Sequence, residues 1–330
     1  MKKILNSPSA YVDEMLAGLC VAYPASYRLA GERVLVRTGG AVPGKVGIVT
    51  GGGSGHLPVF LGYVGSGLMD ACAVGNVFAG PRVADCMSAI QNADGGAGVL
   101  ALYGNYGGDR MNFDMALEQL ETDKLKLASV RVADDVASAP ADERQKRRGV
   151  AGMVFAFKTA GARAASGGSL EEVTTVAQKA ADACRSVGVA LTPCTVPESG
   201  RASFEIVESE IEFGMGIHGE PGIWRGPIKS ADALTDEMLD LLLPELNYSK
   251  GDRTAVLVNS LGATPHEELF IVYRRVAEVL GARGINIVMP LIGRYATSME
   301  MTGMSLTLMP LDDELESLLQ APADCPFWKV

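Results

Sequence analysis

Residues 46–56 read Val-Gly-Ile-Val-Thr-Gly-Gly-Gly-Ser-Gly-His, a β-branched run that passes directly into glycines. Glycine takes left-handed conformations and has no Cβ, so such a stretch brings backbone N–H groups close to a ligand that side chains would otherwise hold off. The pattern predicts a strand at Val46–Thr50 feeding a glycine loop at Gly51–His56. No Lys-Ser/Thr follows the glycines and their spacing misses GxGxxG, so neither nucleotide-binding fingerprint is present. The structural alternative is a tight turn between strand and helix, with Pro58 as an early helical residue.

The same alternation continues along the chain. An amphipathic helix is expected over Val12–Leu19 and a strand at Val34–Arg37. Then come a helix over 82–92, a strand at Gly98–Tyr103, a helix after Asn112, a strand at Leu125–Ala133 and helices over 150–163 and 169–187. A second set of strands is expected at Val189–Thr192, Ser203–Val207, Ala255–Asn259, Ile285–Met289 and Ser305–Met309, with helices over 231–243, 265–281 and 312–319. Strands alternating with helices predict α/β architecture. At 330 residues the expectation is two α/β domains, each a mostly parallel or mixed sheet covered by helices. We place them at 1–185 and 186–330, near a cluster of Pro193, Pro197 and Gly200.

Composition narrows the function classes. Acidic residues outnumber basic ones 39 to 29, a formal net charge of −10, which opposes adhesion to nucleic acid or an anionic membrane. Neither a signal-peptide core nor an apolar run of about 20 residues is present, so a cytoplasmic setting is expected. The six cysteines lie apart without a CxxC pair, which argues against a disulfide framework or zinc site; no metal is expected.

Three segments have the residue types for chemistry. His56 closes the first glycine segment. Asp109 lies in Tyr103-Gly-Asn-Tyr-Gly-Gly-Asp109-Arg, directly after an apolar strand, where open parallel sheets bind ligands. Its carboxylate can accept a proton from a substrate hydroxyl, or cap the helix that follows. His218 stands between Gly216 and Gly219, which supply no packing but leave room beside a ring whose free nitrogen can act as base or nucleophile. Glu220 either orients that ring or lies in solvent. His266, by contrast, follows a plausible Thr264 N-cap and Pro265, and is given no role. The run Asp142–Arg148 reads as solvated, though Arg147 and Arg148 can meet an acidic partner or a phosphate.

Taken in order, GGGSGH at 51–56, NYGGDRMNF at 105–113, RRGVAG at 147–152, FGMGIHGEPG at 213–222, LGATP at 261–265 and TSMEMTGMSLTL at 297–308 resemble the substrate-binding K subunit of dihydroxyacetone kinases over nearly the whole chain. The resemblance implies a homodimer and a short-chain ketose trapped as a hemiaminal on His218. It further implies that Asp109 accepts the proton of the phosphorylated hydroxyl, that His56 hydrogen-bonds the substrate, and that the Gly52 and Gly53 backbone cradles it. No cofactor is expected on this chain. ATP or ADP with Mg would sit on a separate nucleotide-binding L subunit, phosphorylated either by ATP exchange or by a phosphoenolpyruvate-driven chain.

Three departures bear on the substrate. Dihydroxyacetone-using relatives carry Glu, Ser and Lys where this sequence has Leu57, Gly80 and Gly104. Losing a hydroxyl and an ammonium group leaves space suited to a four- or five-carbon ketose such as erythrulose or apulose. The resemblance also admits a catalytically silent ketose sensor that binds a transcription regulator. Retention of His56, Asp109 and His218 together favours the kinase. An isomerase or aldolase lacks a Schiff-base lysine or metal cluster at these positions.

Overall fold

The computed structural model describes residues 2–121 and 125–330. The chain runs through α1 (Tyr11–Ala22), β1 (Tyr27–Leu29), β2 (Val34–Arg37), β3 (Gly47–Ser54), β4 (Ala71–Val77), α2 (Val83–Ala93), β5 (Val99–Gly104), α3 (Gly107–Glu121), β6 (Leu127–Val132), α4 (Gly152–Ala165) and α5 (Leu170–Ala183). It continues through β7 (Arg185–Thr192), β8 (Glu210–Phe213), β9 (Trp224–Pro227), α6 (Ala231–Leu242), β10 (Arg253–Ser260), α7 (His266–Ala282), β11 (Asn286–Gly293), β12 (Thr302–Leu311) and α8 (Asp313–Gln320). A short hairpin of β13 (Asp324–Cys325) and β14 (Trp328–Lys329) ends it.

Two six-stranded sheets result, ordered β1-β2-β4-β3-β5-β6 and β11-β10-β12-β7-β8-β9. In the first, β4, β3, β5 and β6 are parallel and β1 and β2 add an antiparallel flank. In the second only β10 and β11 run parallel. Both sheets carry helices on their faces, as the alternation predicts. Apolar positions of α2 and α3 (Cys86, Ala89, Ile90, Phe113, Ala116) pack on Val49, Val99 and Ala101 of the first sheet. Leu234, Met238 and Leu242 of α6, with Leu269, Val276 and Leu280 of α7, cover the outer face of the second.

Helix α4 lies between the two sheets. Its segment Gly-Met-Val-Phe-Ala-Phe-Lys-Thr-Ala-Gly-Ala is buried without a break, the mark of a helix with no solvent face. One hydrophobic core joins Met153, Phe155 and Phe157 to Ile48 and Leu100 on one side and to Ala255, Leu257 and Met309 on the other. Full burial of each large apolar side chain contributes roughly 1.5–3 kcal/mol. Asp134 fixes where this helix starts: its carboxylate accepts from the Val150 and Gly152 amides at 2.8 and 2.7 Å and from the Ser186 hydroxyl on β7.

Several expectations need correction. Gly51–Ser54 continue the strand instead of forming a loop; all are buried, and Gly52 and Gly53 pair with Val74 and Gly75 of β4. Glycine's poor strand propensity hid this, because the packing that overrides it comes from across the sheet. The helix expected over 169–187 stops at Ala183, and Arg185–Val187 already belong to β7. Residues 203–207 form no strand. Apart from one bridge of Ala202 to Thr195 and a bond from the Ser203 amide to Cys194, the segment has no sheet partner, and β8 and β9 occupy the sheet instead. Helix α3 begins at Gly107, earlier than Asn112, since paired glycines do not signal a helix. Arg147 is not solvated: it is buried in a bidentate pair with Glu245, both bonds 2.7 Å.

Candidate active site

Strands β3 and β5 end side by side, and the chain leaving each turns across the carboxyl edge of the first sheet. The turn after β3 needs Gly55 at φ +102°, and it delivers His56 into full burial. Nδ1 of His56 lies 2.7 Å from the Thr297 carbonyl, a pairing that holds the proton on Nδ1. Nε2 is then a lone-pair acceptor, buried and without a hydrogen-bond partner. Burial, with the neighbouring His218 as the next cause, pushes the ring's pKa from 6.5 down to about 3, so this imidazole is neutral at physiological pH.

Two phenylalanines with positive φ flank the ring, Phe60 (φ 67°) at a centroid distance of 6.0 Å and Phe78 (φ 58°) at 4.9 Å. Bulky residues in left-handed conformations are strained, and such strain collects at functional sites. The glycines of β3 admit them. A Cβ on Gly52 would lie 2.3 Å from the Phe60 ring, and one on Gly53 would lie 2.7–2.8 Å from the backbone at Phe78 and Ala79.

The second sheet supplies the opposing ring. His218 sits 4.7 Å from His56, edge to face, and 4.5 Å from Tyr106. Glu220 grips it twice, accepting from Nδ1 at 2.8 Å and from the His218 amide at 2.9 Å. Glu220 is therefore an orienting residue. Burial raises its pKa, but the His218 bond and charge outweigh that, with further help from Arg148, and hold it at about 2. Arg148 stands 4.0 Å from Glu220 and is itself fixed by Asp135 at 2.8 Å and the Gly214 carbonyl at 3.1 Å. Gly216 is compatible with this arrangement because a Cβ there would lie 2.3 Å from Glu220 Oε2 and 2.7 Å from Arg148. With Nδ1 donating to Glu220, the neutral form of His218 carries its lone pair on Nε2.

Asp109 occupies the first turn of α3, not its cap, and is buried. Its Oδ1 has no hydrogen-bond partner. Burial raises its pKa from 3.8 to about 6, while the charge of His218 and its own backbone amide draw it down. A carboxylate poised there can take a proton near neutrality. A Cβ on Gly80 would come 3.3 Å from Asp109 Oδ1, so any side chain at position 80 would press on this carboxyl.

The fold thus brings His56, Asp109 and His218 into one electrostatic neighbourhood and leaves His266 elsewhere, at the start of α7, where Pro265 and not Thr264 holds the cap position. Thr264 instead bonds Gly303 in both directions. Thr297, Phe78 and Tyr106 are site residues that spacing did not reveal. The TSMEMTG motif at 297–303 hinted at the first of them, and the NYGGDRMNF motif at 105–113 contains Tyr106 without marking its role. Among the described residues no group of three or more His, Cys, Asp or Glu is placed to hold a metal ion. No described helix is long and apolar enough to cross a membrane.

A Dak1 domain model matches residues 17–327. The chain belongs to the Dak1 family. Among its Dak1 relatives, the dihydroxyacetone-binding subunit DhaK of the PTS-dependent dihydroxyacetone kinase 2 from Listeria innocua is 45% identical over the full length of both chains. The L-erythrulose kinase of Pectobacterium atrosepticum is 42% identical over the whole of this chain, which spans 56% of that protein. Among Dak1 structures, the dihydroxyacetone kinase of C. freundii in complex with AMP-PNP and Mg2+ superposes with a TM-score of 0.90 at 32% identity, covering all of this chain and 61% of that one. The dihydroxyacetone kinase operon co-activator Dha-DhaQ gives 0.90 at 31% identity, covering 96% of this chain and 98% of its own.

Proposed function

We propose that this protein is the substrate-binding subunit of a ketose kinase, that it works in the cytoplasm, and that it traps a short-chain ketose on His218. The observation that carries the reading is the pair of imidazoles 4.7 Å apart, each with Nδ1 engaged and Nε2 left as a base, beside a carboxyl held at about 6. Nε2 of His218 adds to the ketone carbon as the carbonyl π pair moves to oxygen, which takes up a proton. The ring becomes cationic, Glu220 offsets that charge, and release of the Nδ1 proton leaves a neutral hemiaminal. A polyol without a carbonyl gives no such adduct. His56 Nε2 accepts a hydrogen bond from a substrate hydroxyl, while Gly52 and Gly53 form the floor that lets Phe60 and Phe78 close beside it.

Asp109 then accepts the proton of the terminal hydroxyl as its oxygen attacks the transferring phosphoryl group, and the bond to the leaving phosphate breaks. The donor is nucleotide with Mg2+ on a separate L subunit. Gly80 and Gly104 leave the surroundings of Asp109 and Tyr106 without the side chains that crowd a three-carbon pocket, which supports a four- or five-carbon ketose. Identity to both dihydroxyacetone-binding subunits and erythrulose kinases is consistent with either size. The likeness to an operon co-activator supports a second reading, a ketose sensor, but such a role needs the trapping histidine alone and leaves the poised Asp109 unexplained.

The test is phosphorylation by an L subunit with dihydroxyacetone, erythrulose and apulose as acceptors. We expect a higher kcat/KM for the larger ketoses, and loss of detectable phosphorylation and of the covalent adduct in His218→Ala. A strong preference for dihydroxyacetone would overturn the size assignment. A ligand-soaked crystal with no bond between His218 and any ketose would overturn the hemiaminal.

A further inference from the structure

At the outer edge of the first sheet lies a polar cleft of about 540 Å³ whose walls include Arg110 of α3, Ser129 and Arg131 of β6, Arg144 of the turn Ala141–Lys146, and Gln178 and Asp182 of α5. We infer that it is a binding site for a small hydroxylated phosphate monoester, a sugar phosphate in class, distinct from the ketose site. None of His56, Asp109 and His218 lines it, so the inference stands whether or not the chain phosphorylates a ketose.

Construction is the first argument. Strand β6 ends the order of its sheet; α3 packs on one face through Phe113 and Ala116, and α5 on the other through Val173 and Ala177. The cleft thus gathers side chains from an edge strand and from a helix on either face, so its donors are set by the fold and not by one loop. Its volume is that of a small-molecule pocket.

Charge is the second. Among the described residues Arg110, Arg131 and Arg144 form no ion pair within 4 Å, and neither does Asp182, the one acid of the cleft. Asp182 acts through its carbonyl, which accepts from Arg144 at 2.9 Å and from Arg185 at 2.8 Å. Arg185 in turn shares the carboxylate of Glu245 with Arg147. Arg144, Arg185 and Arg147 are therefore linked in a row that contains a single carboxylate, and Arg110 and Arg131 add two further cations at the cleft. Burial, and after it the charge of Arg144, presses the Arg185 pKa below its ordinary value, as expected of cations that lack enough counter-charge. In a chain of net charge −10, such an excess in one place is not a by-product of composition. A bound anion relieves it, and guanidinium groups take phosphate oxygens in fork geometry. Ser129 and Gln178, whose side chains have no hydrogen-bond partner among the described residues, offer a hydroxyl and an amide to the hydroxyls of the ligand's carbon chain. The basic run at 142–148 divides accordingly: Arg147 and Arg148 turn to Glu245 and Asp135, and Arg144 to the cleft.

The experiment titrates the intact chain by calorimetry with α-glycerophosphate and sorbitol phosphate, which have no carbonyl for His218 to trap, and in parallel with glycerol and inorganic phosphate. At least one ester should bind saturably, inorganic phosphate more weakly and glycerol not detectably. Arg110→Gln/Arg131→Gln should cut the affinity for that ester about tenfold or more, the loss expected when charge-assisted hydrogen bonds are removed. Added salt should weaken binding to the wild type more than to this variant. Ser129→Ala/Gln178→Ala should reduce the affinity for the ester and leave that for inorganic phosphate unchanged. All four side chains belong to exposed residues, and an unchanged melting temperature verifies folding. Absence of saturable binding by both esters overturns the inference, as does equal affinity in the wild type and the arginine variant. Inorganic phosphate binding as tightly as the ester overturns the sugar-phosphate class. Binding lost in His218→Ala but kept in the arginine variant places the ester in the ketose site and overturns the cleft.

Discussion

At the level of single residues, the site gains reactivity at the expense of stability. Asp109 is buried with an oxygen unpaired, and its ionisation is opposed by the fold. With a folded pKa of about 6 against 3.8, the folded state binds the extra proton between those values, so stability falls as pH rises through that window and the full penalty applies above it. Asp109→Asn should therefore raise the melting temperature at pH 7–8, by up to about 3 kcal/mol in stability, and change it little at pH 4. The same variant should lose roughly a hundredfold or more in kcat. Thermal scans across pH and steady-state rates check both. Arg148 acts through Glu220, and removing its charge lets the Glu220 pKa rise. Arg148→Met should move the acid limb of ketose capture to higher pH and cut kcat by about tenfold or more, and Arg148→Lys should restore part of each. A loss of stability with an unmoved pH profile would assign Arg148 to the fold alone.

Among elements, β3 shows how far the sequence can be read. Its β-branched half announces a strand, and the glycines that follow look like the end of one. They continue it because the residues that need the space, Phe60 and Phe78, arrive from later turns. Gly52→Ala is the corresponding test: a methyl group 2.3 Å from the Phe60 ring should cost about 1–3 kcal/mol and, by moving a neighbour of His56, lower the affinity for ketose. Equilibrium unfolding and ketose KM measure the two effects. Elements with strong local signals were legible within a few residues, among them α2, β5, α6, α7 and β12. Those hidden from a local reading were β4, whose small residues Ala71, Ala73 and Gly75 carry no strand signature, and β8 and β9, which are short and stabilised by pairing. His56, His218 and Asp109 stood out because glycines lie beside them. Thr297, 241 residues from His56 in sequence, could not be joined to it by any local pattern.

For the molecule as a whole, the two sheets share what each would ordinarily keep to itself. His56 belongs to the first and is oriented by a carbonyl next to the second; His218 belongs to the second and is packed by Tyr106 of the first. The C-terminal hairpin returns to pair Asp324 with Ser66, closing the chain on its opening half. Acid should expose this coupling. His56 has a folded pKa near 3 and an unfolded one near 6.5, so the unfolded chain alone gains a proton as pH falls between them, and stability declines through that interval. Asp109 acts oppositely below pH 6, which makes His56→Gln the cleaner comparison: its stability should fall less steeply from pH 6.5 to 4 in denaturant titrations. Helix α4, walled on both sides, has a further implication for how the chain comes apart. A break between α5 and β7 would yield two fragments, each with a strip of bare hydrocarbon where the other belongs. Such pieces would aggregate or find each other, and only the reunited pair would have two opposed imidazoles.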